Sequence, residues 1–131
     1  MVSEMAPDPT TSAPLLDQET LDDLEDQVGS REIAVTFARD FTDMWSERFE
    51  RLCAALEAKD AASAHDAILS LKITSAMLGA FRLVNLAAEL EHAVNQSDLD
   101  RAAQGLPAIR ACGNASVSQL LSTYILPDEN S

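Results

Sequence analysis

Basic side chains are scarce in this sequence. Nine Lys and Arg stand against 22 Asp and Glu in 131 residues, which leaves a net charge of −13. Phosphate backbones and anionic lipid surfaces are held by clustered cations. The nine are scattered, so nucleic acid and membrane are excluded as partners, while a protein with a complementary basic face is not. Histidine is rarer still, with only His65 and His92. Most hydrolytic mechanisms then lack a base, and the chain has no glycine-rich phosphate loop, no nucleophile elbow and no Ser/His/Asp set. The two cysteines, Cys53 and Cys112, lie far apart without metal-ligand spacing and fall in helical apolar patterns, which predicts buried, reduced thiols. No apolar run reaches membrane-spanning length. The start of the chain carries an early acidic residue and no apolar stretch, so no signal peptide is expected and the expected location is cytoplasmic.

Aromatics are 5% of the residues and glycines number four, whereas apolar residues make up 47%. The core must therefore be mostly Leu, Ala, Ile and Val. With few β-branched runs, that composition favours packed helices over a sheet. The length suits one modest core.

Residues 1–14 are rich in Pro, Ser, Thr and Asp and read as a disordered tail; 127–131 read as a second one. Asp17 is placed to cap a short first helix, with Leu16 and Leu21 at hydrophobic-staple positions and Gly29 at its end. Ser30 caps a second helix over 31–58. Its expected buried face is Ala34, Phe37, Ala38, Phe41, Met44, Trp45, Leu52, Ala55 and Leu56. The aromatics at this spacing read as core, not as a ligand box. Arg48 falls inside the same arc, its head reaching outward. Lys59-Asp60 makes a turn, Asp60 caps a third helix, and Gly79 closes it. A fourth helix spans 81–95 with Leu83, Leu86, Ala87, Leu90, Ala93 and Val94 inward. Ser97 or Asp98 caps a last segment, in which Pro107 and Gly113 predict a kink or two pieces. Four substantial helices with short connections imply an antiparallel bundle.

Glu89 and His92 have the E-x-x-H spacing of di-iron bundles. A single copy without further inward Glu does not build such a site, and His92 lies opposite the buried Leu90. No metal or cofactor is expected.

The third helix carries the informative stretch, ILSLKITSAMLGA from Ile68 to Ala80. At 100° per residue, Ala64, Ala67, Ile68, Leu71, Ser75 and Leu78 share the core side. His65, Leu69, Lys72, Ile73 and Ala76 share the other. An outward bundle face is normally polar, so Leu69 and Ile73, one turn apart, form an apolar outer patch. Phe81, Val84 and Ala88 on the fourth helix are placed to widen it.

On these residues the sequence resembles the histidine-containing phosphotransfer (HPt) domain family. Leu71-Lys72, Ser75, Leu78-Gly79-Ala80 and Leu90-Glu91 fall on that family's signature without gaps. The opening helix and the Lys59-Asp60 turn also fit, so the resemblance spans about residues 15–125. It implies an all-α, antiparallel four-helix bundle with a short additional N-terminal helix over 15–126. It also implies a place in two-component signalling. Two positions depart from the pattern. The family's phosphorylated histidine falls on Leu69, and its following glycine falls on Ile73. Leucine has no nitrogen to carry a phosphoryl group. Lys72 stands where the family's lysine helps neutralise that group; with no phosphate beside it, it reads as a solubilising surface lysine.

The expectation is thus a pseudo-phosphotransfer protein, not an enzyme. It would bind a receiver domain or a sensor histidine kinase through Leu69, Lys72, Ile73, Ala76 and His65. Two alternatives accompany it. His65, on the same outward face, would make the chain an active phosphorelay intermediate. That requires a four-residue shift of register, and the residue four positions on is Leu69, not glycine. Alternatively, the Leu69/Ile73 patch closes a homodimer.

Overall fold

The computed structural model describes residues 14–129, and every regular element in them is helical. The sequence places the boundaries through its caps. Helix α1 (Gln18–Val28) starts where the Asp17 carboxylate accepts the Thr20 N–H, and it ends on Gly29 at φ +88°. Helix α2 (Arg31–Glu57) starts where Ser30 Oγ accepts the Ile33 N–H at 3.0 Å. Lys59 adopts φ +58° in the following turn. Asp60 then caps α3 (Ala61–Met77) by accepting the Ser63 N–H at 3.1 Å. Gly79, at φ +77°, reverses the chain into α4 (Phe81–Asn95). Of the two candidate caps for the next helix, Asp98 is the one used: it accepts the Arg101 N–H at the start of α5 (Leu99–Gln104). Helix α6 (Leu106–Leu120) continues through a π-helical turn, Leu121–Ile125, into α7 (Leu126–Glu129). The helix thus runs past residue 126 into the segment read as a C-terminal tail. The N-terminal tail up to residue 13 lies outside the described residues.

Helices α2, α3, α4 and α6 close a four-membered ring: α3 and α6 each pack against both α2 and α4. Helix α1 lies across α2 and α3, and α5 fills in beside α4 and α2. The interior is aliphatic, with Leu21, Leu52, Ile68, Leu83, Ile109 and Leu120 fully buried among others. A wider π turn re-phases the chain by one residue, and Tyr124 and Ile125 are both buried there. The Tyr124 hydroxyl donates to Glu25 at 2.6 Å, while Arg31 pairs with the same carboxylate at 2.9 Å and stands 4.8 Å over the Tyr124 ring. These contacts fasten the chain's last helical turns to its first helix.

The final segment breaks as Pro107 predicts but not as Gly113 does. The two pieces separate at Gly105, with Pro107 in the first turn of α6, where its missing N–H is harmless. Gly113 sits inside an unbroken α6 because the Trp45 ring fills the space a side chain would take: a Cβ there would lie 1.8 Å from Cζ2. The buried face of α2 also differs from the wheel. Met44 is exposed and Phe37 only half-buried, whereas Val35 and Phe49 are core. The buried residues keep helical spacing along the whole helix: Phe49 lies one turn after Trp45 on the same face, and Val35 and Met44 lie at its two edges.

Candidate functional site

Helix α3 divides into two faces. Inward, Ala64, Ile68, Leu71 and Ser75 are buried, and two of these are small enough to let α4 approach closely. Ser75 is fully enclosed and its Oγ finds no hydrogen-bond partner. Outward, Leu69 is 37% exposed, Ile73 52% and Met77 37%. Spacings of four residues align these side chains along one line of the helix. Met77 lengthens the expected patch by a turn. Its four-residue spacing from Ile73 was legible, but it stands beside the closing Gly79 and reads as the helix end. Ala76 is half-buried, as are Phe81, Val84 and Ala88 on α4.

The α4 edge of this face is a charge cluster around Glu91. Lys72 Nζ donates to one carboxylate oxygen at 2.5 Å, and His65 Nε2 lies 3.4 Å from the other. The hydrogen bond from Lys72 holds the Glu91 carboxyl below its ordinary value, against partial desolvation, with the charges of Lys72 and His65 acting in the same sense as the bond. Lys72 is therefore not a free solubilising lysine, because a carboxylate from the neighbouring helix occupies it. Nothing in the local pattern of α3 signals this pairing, whose partner lies 19 residues on.

The α2 edge is held by Arg48. Its Nη1 donates to Ser70 Oγ at 3.3 Å and Thr74 Oγ1 at 3.4 Å, the residues next to Leu69 and Ile73. The head leaves the apolar arc toward α3, with its Nε enclosed and Nη1 on the two hydroxyls. A groove of about 390 Å³ runs between α2 and α3 at this point, lined by Met44, Arg48, Arg51, Ser63, Asp66 and Ser70 among others.

The remaining candidates stay apart from this face. Glu89 and His92 are both exposed on α4, and among the described residues no group of three or more His, Cys, Asp or Glu is placed to hold a metal ion. Cys53 is half-buried and Cys112 buried, both free thiols, and burial pushes each above its ordinary pKa. Among the described residues no helix is long and apolar enough to cross a membrane.

The family model of the Hpt domain matches residues 36–122, from within α2 to the π turn. The chain belongs to the Hpt domain family. Among solved structures this Hpt chain is similar to histidine-containing phosphotransfer protein B (HptB) from Pseudomonas aeruginosa PAO1. The identity is 27% and the TM-score 0.72, over 80% of this chain and 90% of that one. No curated protein matches it. Family membership and the likeness to HptB support a role in phosphorelay signalling, in which Hpt proteins are phosphoryl carriers that meet receiver domains and kinases. Helix α1 lies outside the matched span, yet it covers α2 and α3.

Proposed function

We propose that this Hpt protein is a docking module of a phosphorelay that carries no phosphoryl group itself. It engages a receiver domain or a sensor histidine kinase through the outward face of α3. The observation that carries the reading is Leu69, which stands outward and continues into an apolar line with Ile73 and Met77, at the position to which the resemblance in sequence assigns the family's phosphoacceptor. Fully burying a Leu, Ile or Met side chain contributes roughly 1.5–3 kcal/mol. With about a third to a half of each surface still exposed, covering all three supplies roughly 2–4 kcal/mol before association costs. His65 is disfavoured as a substitute acceptor: its Nε2 lies 3.4 Å from the Glu91 carboxylate, and that negative charge repels an incoming phosphoryl group.

The test uses purified receiver domains and sensor-kinase modules encoded in the same genome, titrated against wild type and Leu69→Asp/Ile73→Asp. At least one binds wild type and loses the double variant. Equal binding to both sinks the docking face. In parallel, wild type is incubated with ³²P-labelled receivers. It stays unlabelled. Acid-labile label that disappears in His65→Ala overturns the non-carrier reading in favour of an active intermediate. Sedimentation of wild type and Leu69→Asp reports the homodimer: self-association lost in the variant assigns the face to a second copy instead.

A further inference from the structure

We infer that Arg48 is the electrostatic anchor of the docking face, and that the partner presents a carboxylate to it beside an apolar patch. The inference rests on the docking reading above and adds the chemistry of what is docked.

In a chain with 22 acids and nine bases, a cation finds a carboxylate easily. Arg31 pairs with Glu25, Arg51 with Glu47, Lys59 with Asp100 and Lys72 with Glu91. Arg48 does not, and among the described residues neither Arg101 nor Arg110 is paired with a carboxylate; what sets Arg48 apart is that its hydrogen bonds go to two hydroxyls of α3. Its Nε is sealed from solvent with no acceptor. A guanidinium carries five donors in a rigid fork, and a partly buried one without an anion lacks its usual charge-assisted bonds. The Nη2 group donates to no protein partner among the described residues and is not enclosed. It is therefore the donor presented to the groove.

Three features make this a contact prepared for a partner. Ser70 and Thr74 tether Nη1, so much of the side chain's rotamer entropy is already spent before anything binds. The two tethering residues neighbour Leu69 and Ile73 in the chain, which places the guanidinium along the edge of the apolar line. Met44, exposed at 38%, extends the apolar surface on the α2 side of the groove. Arginine is enriched among the residues that carry binding energy when a partner desolvates them fully. The opposite margin cannot serve in this way, because Glu91 already neutralises Lys72. Asp66 also lines the groove but pairs with neither Arg48 nor Arg51. The anion that completes the site comes from the partner.

The experiment takes the receiver or kinase module that binds wild type and measures its Kd at low and high salt for wild type, Arg48→Gln and Arg48→Lys. Arg48→Gln weakens binding about tenfold or more and flattens the salt dependence, as expected for a lost charge-assisted contact. Arg48→Lys, which keeps charge but not the fork, falls between. Exposed Asp and Glu on the partner are neutralised one at a time. One of them weakens wild type about tenfold and has no further effect on Arg48→Gln, a coupling that a folding defect in Arg48→Gln does not produce. Arg48→Gln binding within twofold of wild type, with the same salt slope, overturns the inference while leaving the docking face intact. Failure of every module to bind wild type removes the face itself, and the inference with it.

Discussion

Replacing Gly113 by alanine tests the packing that holds the bundle together. Alanine is the better helix former by about 1 kcal/mol, so secondary structure alone predicts stabilisation. The structure predicts the reverse. The new Cβ would lie 1.8 Å from Trp45 Cζ2, 2.1 Å from Cη2 and 2.4 Å from Cε2. Relative to an ordinary carbon–carbon contact, the first approach is about 1.5–2 Å too close. The indole has nowhere simple to go: it stacks on Phe41 at 6.3 Å, meets Phe49 at 5.7 Å, and donates from Nε1 to Asn114 at 2.8 Å. Overpacking a fixed core costs about 1–3 kcal/mol. Loss of the Asn114 bond costs about 1 kcal/mol more, and disturbed aromatic pairs about 0.5–1.5 kcal/mol. Against the propensity gain, the net is a destabilisation of about 1.5–4.5 kcal/mol, or about 5–16 °C in Tm for a chain of this length. Thermal unfolding followed by circular dichroism measures it, and fluorescence of the single tryptophan reports the ring's displacement. In a Trp45→Leu background the same substitution becomes neutral or stabilising, because the clash is gone. A Gly113→Ala protein that melts at or above wild type refutes the account.

Three further outcomes are expected. Ser75→Ala removes a fully enclosed hydroxyl that has no partner, so urea unfolding should show unchanged or higher stability, by up to about 1–3 kcal/mol; a clear loss would mean the hydroxyl is bonded in solution. The Glu91 carboxyl is held below its ordinary value of 4.5 by Lys72, so its contribution is complete above that pH and is lost as pH falls through the lowered value. Glu91→Gln should therefore show a shallower loss of stability than wild type from about pH 5 to pH 3, with the remaining acid sensitivity coming from groups such as Asp60 and Asp100. Ile73→Asp changes an outward, half-exposed position, so chemical denaturation should move by about 1 kcal/mol or less; a larger loss would show that Ile73 serves the core.

The fold was readable where information is local. Asp17, Ser30, Asp60 and Asp98 each accept an amide proton at a helix start, and a capping side chain acts within three residues of itself. The outward placing of Leu69 and Ile73 was readable for the same reason, since one helical turn fixes it. What escaped depends on a second element. Gly113 looks like a helix breaker until Trp45, 68 positions earlier, is laid against it. Lys72 looks solvated until α4 brings Glu91 to it. Phe49 was legible, standing one turn after Trp45 on the same face, whereas Val35 and Met44 lie at the two edges of that face, where the neighbouring helices decide which is covered. Arg48 could be placed in the apolar arc from sequence, but its hydroxyl partners Ser70 and Thr74 emerge only once α3 is laid beside α2.

The turn that ends α3 has a consequence for how the molecule opens. The Asp17 N–H donates to Gly79 O at 2.9 Å and the Arg82 N–H to Pro14 O at 3.2 Å, while a Cβ on Gly79 would come within 2.8 Å of Asp17 O. The entry to the first helix is thus clasped onto the α3–α4 hairpin. Such contacts merge elements into one cooperative opening unit. Unzipping α1 releases the hinge of the hairpin whose outer surface carries Leu69, Ile73 and Met77. The amides of Asp17 and Arg82 then exchange with solvent at a common rate, one set by the hairpin and not by the fraying of a chain terminus.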